Sequence, residues 1–138
     1  MQLKAGWLDQ RPRIREMTPL STNVKVLNSL LYIKDARQVD LPDIDGRGAY
    51  WSTPSCVAVS CLPDCDGPTT VAIGAASEIQ AGGKLIFDSQ LETPSHRIIV
   101  ETVLAKKILE QAVPDDATRV RIWTNGFRDT DKVTIGLG

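Results

Sequence analysis

Apolar and polar residues alternate strictly near the end of the chain. In Arg119-Val-Arg-Ile-Trp-Thr124, Val120 and Ile122 fall on one face and Arg119, Arg121 and Trp123 on the other. Lys132-Val-Thr-Ile-Gly-Leu137 repeats the pattern with Val133, Ile135 and Leu137. Side chains of a strand point alternately to opposite faces, so both segments read as half-buried antiparallel strands. Asn125-Gly126 opens a turn between them that is too long for a two-residue hairpin.

The same reading extends upstream. Val24 and Val26 alternate around Lys25, and Leu30-Leu-Tyr-Ile33 leads to Asp35, giving one or two strands. Ala49-Tyr50-Trp51 reads as a short strand before Pro54. Ser55–Cys61 and Thr69–Gly74 are β-rich runs on either side of the turn Pro63-Asp-Cys-Asp-Gly-Pro68, the pattern of a hairpin with a long tip. Ala81-Gly82-Gly83 precedes a strand at Lys84–Asp88, and Thr93-Pro94-Ser95 precedes another at Arg97–Val100.

Residues 98–113 fit two periods. Ile98, Val100, Val103, Leu104, Ile108, Leu109, Ala112 and Val113 can lie on one helical face, and Ala105-Lys-Lys107 are good helix formers. The β-branched Ile98-Ile-Val100 and the closing Pro114 favour strand, tight turn, strand. One short helix near 102–112 is the alternative. About seven or eight short strands separated by Gly, Pro and Asp turns, without βα alternation, give an all-β antiparallel β-sandwich. Residues 1–20, with Pro12, Pro19 and three arginines, read as an extended or mobile arm, and 21–138 as a single domain.

Composition narrows the function. A formal charge of −1 lacks the basic excess of proteins that coat nucleic acid or anionic membranes, so neither is an expected partner. No apolar run is long enough to span a bilayer as a helix. The polar, arginine-rich start lacks the apolar core of a secretion signal. Three closely spaced cysteines make a poor disulfide framework and suit a reducing compartment, so a cytoplasmic location is expected.

Candidate chemistry is sparse. Cys61 and Cys65 have a zinc-ligand spacing, and with His96, and with or without Cys56, they could complete a metal set; against this, free cysteines are most often buried as structural residues. His96 has an imidazole's useful pKa range, but its neighbour Ser95 is adjacent only in sequence. Asp40, Asp43, Asp45 and Gly46 lack the spacing and closing Glu of an EF-hand, and Asp64, Asp66 and Gly67 form a weaker cluster. Gly82-Gly83-Lys84 lacks the leading Gly and following Ser or Thr of a phosphate-binding loop, and no Gly-x-Gly-x-x-Gly or Gly-x-Ser-x-Gly occurs. No cofactor is implied. Tyr50, Trp51, Trp123, Arg119 and Arg121 belong to the residue types enriched at binding hot spots, although an Arg–Trp–Arg face can equally cover its own sheet.

Lys84–Val100, Val113-Pro114, Arg119–Trp123 and Asp131–Leu137 together resemble small bacterial β-sandwich domains of the type of competence protein J, a nuclease inhibitor, and similar uncharacterised or immunity-like domains. The resemblance covers residues 84–137 and rests on strands and turns. It implies a non-enzymatic, protein-binding role and assigns no functional residue.

The sequence therefore points to a non-catalytic protein-binding domain of inhibitor or immunity type. Its partner would be another protein, met through Tyr50, Trp51, Trp123, Arg119 and Arg121 and through acidic residues such as Asp43 and Asp45. Acids would suit a basic nuclease site, because complementary charge speeds association. Exposed sheet edges lean towards a homodimer. The alternatives are a metal-binding protein using the cysteines and His96, and an enzyme whose site is assembled from loops.

Overall fold

A computed structural model of the protein describes residues 18–138. Ten strands form in chain order: β1 (Leu20–Val24), β2 (Leu30–Asp35), β3 (Tyr50–Thr53), β4 (Cys56–Ser60), β5 (Thr69–Ala75), β6 (Lys84–Glu92), β7 (Arg97–Thr102), β8 (Lys107–Ala112), β9 (Ala117–Thr124) and β10 (Lys132–Leu137). They build two five-stranded sheets, in the orders β1-β5-β10-β9-β6 and β3-β4-β2-β7-β8. The fold is the all-β sandwich that the alternation predicts. Among the described residues it has ten strands instead of seven or eight, and β1, which starts within the expected arm, is one of them.

Alternation decides what each sheet buries. Val71 and Ile73 of β5, Val120 and Ile122 of β9, Val133, Ile135 and Leu137 of β10, and Leu91 of β6 point inward from one sheet. Leu31 and Ile33, Val57 and Val59, Ile98 and Val100 meet them from the other. Each such side chain contributes roughly 1.5–3 kcal/mol when fully withdrawn from water. This shared core is what holds two sheets with different hydrogen-bond networks together.

Three points sharpen the expectation. First, the favoured strand, tight turn, strand forms at 98–113, and the alternative helix near 102–112 does not. Ala105 takes a left-handed conformation (φ 58°), its amide donates to the Thr102 carbonyl (2.9 Å), and the Thr102 amide donates to Lys106 (3.0 Å). That tight turn feeds β8 back along β7, with Val100 opposite Leu109. The β-branched pattern of 98–100 thus prevails over the helix propensity of 105–107. Second, the run at 55–61 and the run at 69–74 are not a hairpin. β4 and β5 lie in different sheets, so residues 61–68 cross from one layer to the other. Third, β5 and β10 pair in parallel, with Ile73 opposite Ile135, inside sheets that are otherwise antiparallel.

Residues 1–17 of the expected arm lie outside the described residues; β1 begins at Leu20 and pairs with β5. No helix among the described residues is long and apolar enough to cross a membrane.

Candidate functional site

Two sheet edges come together at one corner of the sandwich. β3 is a short edge strand, and β6 is the edge strand of the other sheet. Their starting residues, with the loop that follows β9, enclose a cleft of about 770 Å³. Tyr50, Lys84, Leu85 and Phe127 line it, together with Gly48, Gly83 and Gly126. Tyr50, Leu85 and Phe127 are 40%, 43% and 63% exposed, which is unusual for large apolar groups. Tyr50 packs edge-on against Phe87, ring centroids 5.4 Å apart at 74°, so the core anchors that wall.

Glycine is required at one of these positions for a definite reason. Gly83 has φ +84°, and a side chain there would run into the Thr124 carbonyl. The start of β6 can lie this close to the end of β9 only without a Cβ, and Lys84 then pairs with Thr124. The β6 register shifts between Leu85 and Phe87, a bulge at the cleft.

The acidic loop before β3 is tied down beside this corner. The Trp51 Nε1–H donates to Asp45 Oδ1 at 2.8 Å, and the Arg47 amide donates to the same oxygen at 2.9 Å. The Arg47 amide, then the Trp51 indole, with the Arg128 charge adding to them, holds the Asp45 carboxyl below the usual carboxylate range. Arg128 donates to the Gly46 carbonyl and so joins the loop after β9 to this segment. Asp43 is exposed. The structure thus gathers Tyr50, Trp51, Asp43 and Asp45 on one short stretch.

The Arg–Trp–Arg face is engaged with its own sheet. Arg119 donates from Nε and Nη2 to the two carboxylate oxygens of Asp88 at 2.9 and 2.8 Å, a forked pair. That hydrogen bonding holds Asp88 below its usual range and raises Arg119. Arg121 lies over the Trp123 ring, 6.0 Å from its centre, and donates to the Gly138 carbonyl at 2.6 Å. Trp123 itself covers Gly136, where an added Cβ would sit 2.8 Å from the indole. Leu85 pairs with Trp123 in register, so this face borders the cleft.

Cys61, Cys65 and His96 do not come together, and the expected metal set is corrected on that ground. Among the described residues no group of three or more His, Cys, Asp or Glu side chains could hold a metal ion. The reason is topological. Cys61 follows Ser60, which pairs with the start of β2, whereas His96 precedes β7, whose first residues pair with the end of β2. They therefore lie at opposite ends of the sandwich. Cys56 and Cys61 are buried, and burial pushes both thiols up to about 12, which keeps them protonated and inert. Cys65 is exposed on a single 3-10 turn, Asp64–Asp66. His96 pairs with Asp116 instead (Nε2 to Oδ1, 2.6 Å), and the Ser95 hydroxyl donates to Asp35 at 2.6 Å. Neighbouring Ser and His are thus committed to different acids.

Lys84, Leu85 and Phe127 are the site residues that the sequence reading misses. A signal for them exists. Each wall has a glycine one or two residues before an exposed apolar side chain: Gly48 before Tyr50, Gly83 before Leu85, Gly126 before Phe127.

No protein-family model matches the chain, and no curated protein matches it. A solved structure shares the fold: ComJ, inhibitor of the DNA degrading activity of NucA, from Bacillus subtilis. The two superpose with a TM-score of 0.63 over 88% of this chain and 94% of that chain, at 11% sequence identity. The likeness reaches well beyond residues 84–137, where the sequence resemblance lies.

Proposed function

We propose that this protein is a non-catalytic protein-binding domain of inhibitor type. The observation that carries the reading is the fold shared with ComJ across nearly the whole chain. The residues fit it. Ser95, His96 and Cys61, the groups best suited to chemistry, are bound to structural partners or sealed in the core. Tyr50 and Trp51 stand beside the acidic residues Asp43 and Asp45, an aromatic and acidic surface suited to a basic protein partner. A nuclease is the partner class we favour, met in the cytoplasm. A homodimer through unpaired strand edges is part of the same reading.

The test is a DNA-degradation assay with purified NucA, beside an affinity capture from cytoplasm followed by mass spectrometry. Inhibition of DNA degradation, or one stoichiometric nuclease in the capture, is the expected result. Asp43→Lys should slow association several-fold at low salt, roughly the range seen when a rim charge is reversed. Unchanged DNA degradation together with no captured protein would sink the proposal.

A further inference from the structure

The cleft between β3 and β6 combines apolar walls with a single cation. None of its lining residues is acidic, and Lys84 is its one ionised lining group. Lys84 forms no ion pair among the described residues, whereas the sheet-face acids Asp88 and Glu110 are each paired with a cation. The Arg128 guanidinium lies 5.8 Å from the centre of the Phe127 ring but is engaged with the Gly46 carbonyl and the Asp45 charge, which leaves Lys84 as the cleft's free cation. The volume, about 770 Å³, falls in the range of small-molecule sites, which combine apolar walls with a few polar groups. Phe127 and Tyr50 offer flat apolar surfaces, and the glycines leave backbone open between them.

We propose that this cleft binds a small aromatic acid, a flat ring system carrying one anionic group. The ring lies against Phe127, Tyr50 and Leu85, and the anion is held by Lys84. Charge complementarity selects this occupant over a neutral apolar molecule, because an unpaired ammonium beside a partly dry wall favours a counter-ion. The site stands independently of the inhibitor reading.

The test uses the full chain and two probes of like shape: 1-anilinonaphthalene-8-sulfonate, an aromatic anion, and N-phenyl-1-naphthylamine, the same rings without the sulfonate. The anion should bind saturably at one site per chain, about two- to fivefold tighter than the neutral probe, the ratio one exposed ion pair can supply. Lys84→Glu should weaken the anion by about fivefold or more and leave the neutral probe within about twofold. Phe127→Ser should weaken both. Leu104→Ser, at a turn on β7–β8 where Leu104 is 75% exposed, should change neither. Amide shifts at Gly48, Gly83 and Gly126 on adding the anion would locate the site without any substitution. Equal affinity for the two probes, no effect of Lys84→Glu, shifts confined elsewhere, or one probe per two chains would each overturn the proposal. The last result would place a second copy over the cleft.

Discussion

The two ends of the sandwich solve the same problem differently. At the end where β6 turns into β7, polar groups are spent on one another. Asp35, fully buried, accepts from the Arg37 amide and Nε and from the Ser95 amide and hydroxyl. Thr93 donates to the Asp115 carbonyl at 2.8 Å and meets Thr118 at 2.9 Å. The Glu92 amide donates to the Pro54 carbonyl and the Val113 amide to that of His96, so three turns are stitched into one. At the other end, Tyr50, Leu85 and Phe127 stand open around a cleft. The first end is held by polar contacts around a buried carboxylate, and the cleft there, about 670 Å³, is lined by polar residues such as Arg37, Thr53, Ser55 and Glu92. The second end instead leaves apolar side chains exposed around its cleft.

The contrast breaks most sharply at Asp35. Asp35→Ala leaves the part-buried Ser95 amide without its acceptor and takes the nearer of two acids from Arg37, whose other is Glu92. It should cost about 3 kcal/mol, the scale for breaking a buried charged hydrogen-bond set. Urea unfolding measures it, and a loss below about 1 kcal/mol would show that the clip is dispensable. Next comes Gly83→Ala at the open end. A side chain at φ +84° facing the Thr124 carbonyl should cost about 2 kcal/mol and shift the start of β6. Thermal unfolding and the probe titration should move together; a stable variant with an intact cleft would refute the close-approach argument.

The smallest effect tests how the open end is tethered. The Asp45 carboxyl lies below the unfolded value of 3.8, held there first by the Arg47 amide. A depressed acid contributes stability above its unfolded pKa, and that contribution is lost as pH falls through the folded pKa. The Trp51 fluorescence should therefore be flat from neutral pH down to about 4 and change only below it. Asp45→Asn should remove that acid-side step. A step that persists in the variant would assign it to another carboxyl.

The sequence made the fold readable where its pattern was local. The alternation at 119–124 and 132–137 and the β-branched run at 98–100 fix strands and faces without reference to distant residues. Pairing partners are another matter. Nothing in residues 61–68 states that they change sheets, because turn chemistry is the same for a hairpin and a crossover. The spacing of Cys61 and Cys65 carried no information about which end of the sandwich His96 occupies. The sequence singled out Tyr50-Trp51 and Asp43 with Asp45 separately, and only the structure shows the Trp51 indole bonded to Asp45. The cleft was not legible, because its walls come from three segments that only the two sheet edges bring together.

The placement of β10 has a consequence for how its sheet closes. It follows the other nine described strands in the sequence yet is central in its sheet, between β5 and β9. The strands of the other sheet pair without it. This sheet cannot close until β10 seats, because β5 and β9 each keep an open flank. Open strand flanks are templates for pairing with other chains. A state with residues 132–137 unseated therefore exposes two such flanks at once, and self-association should track that state.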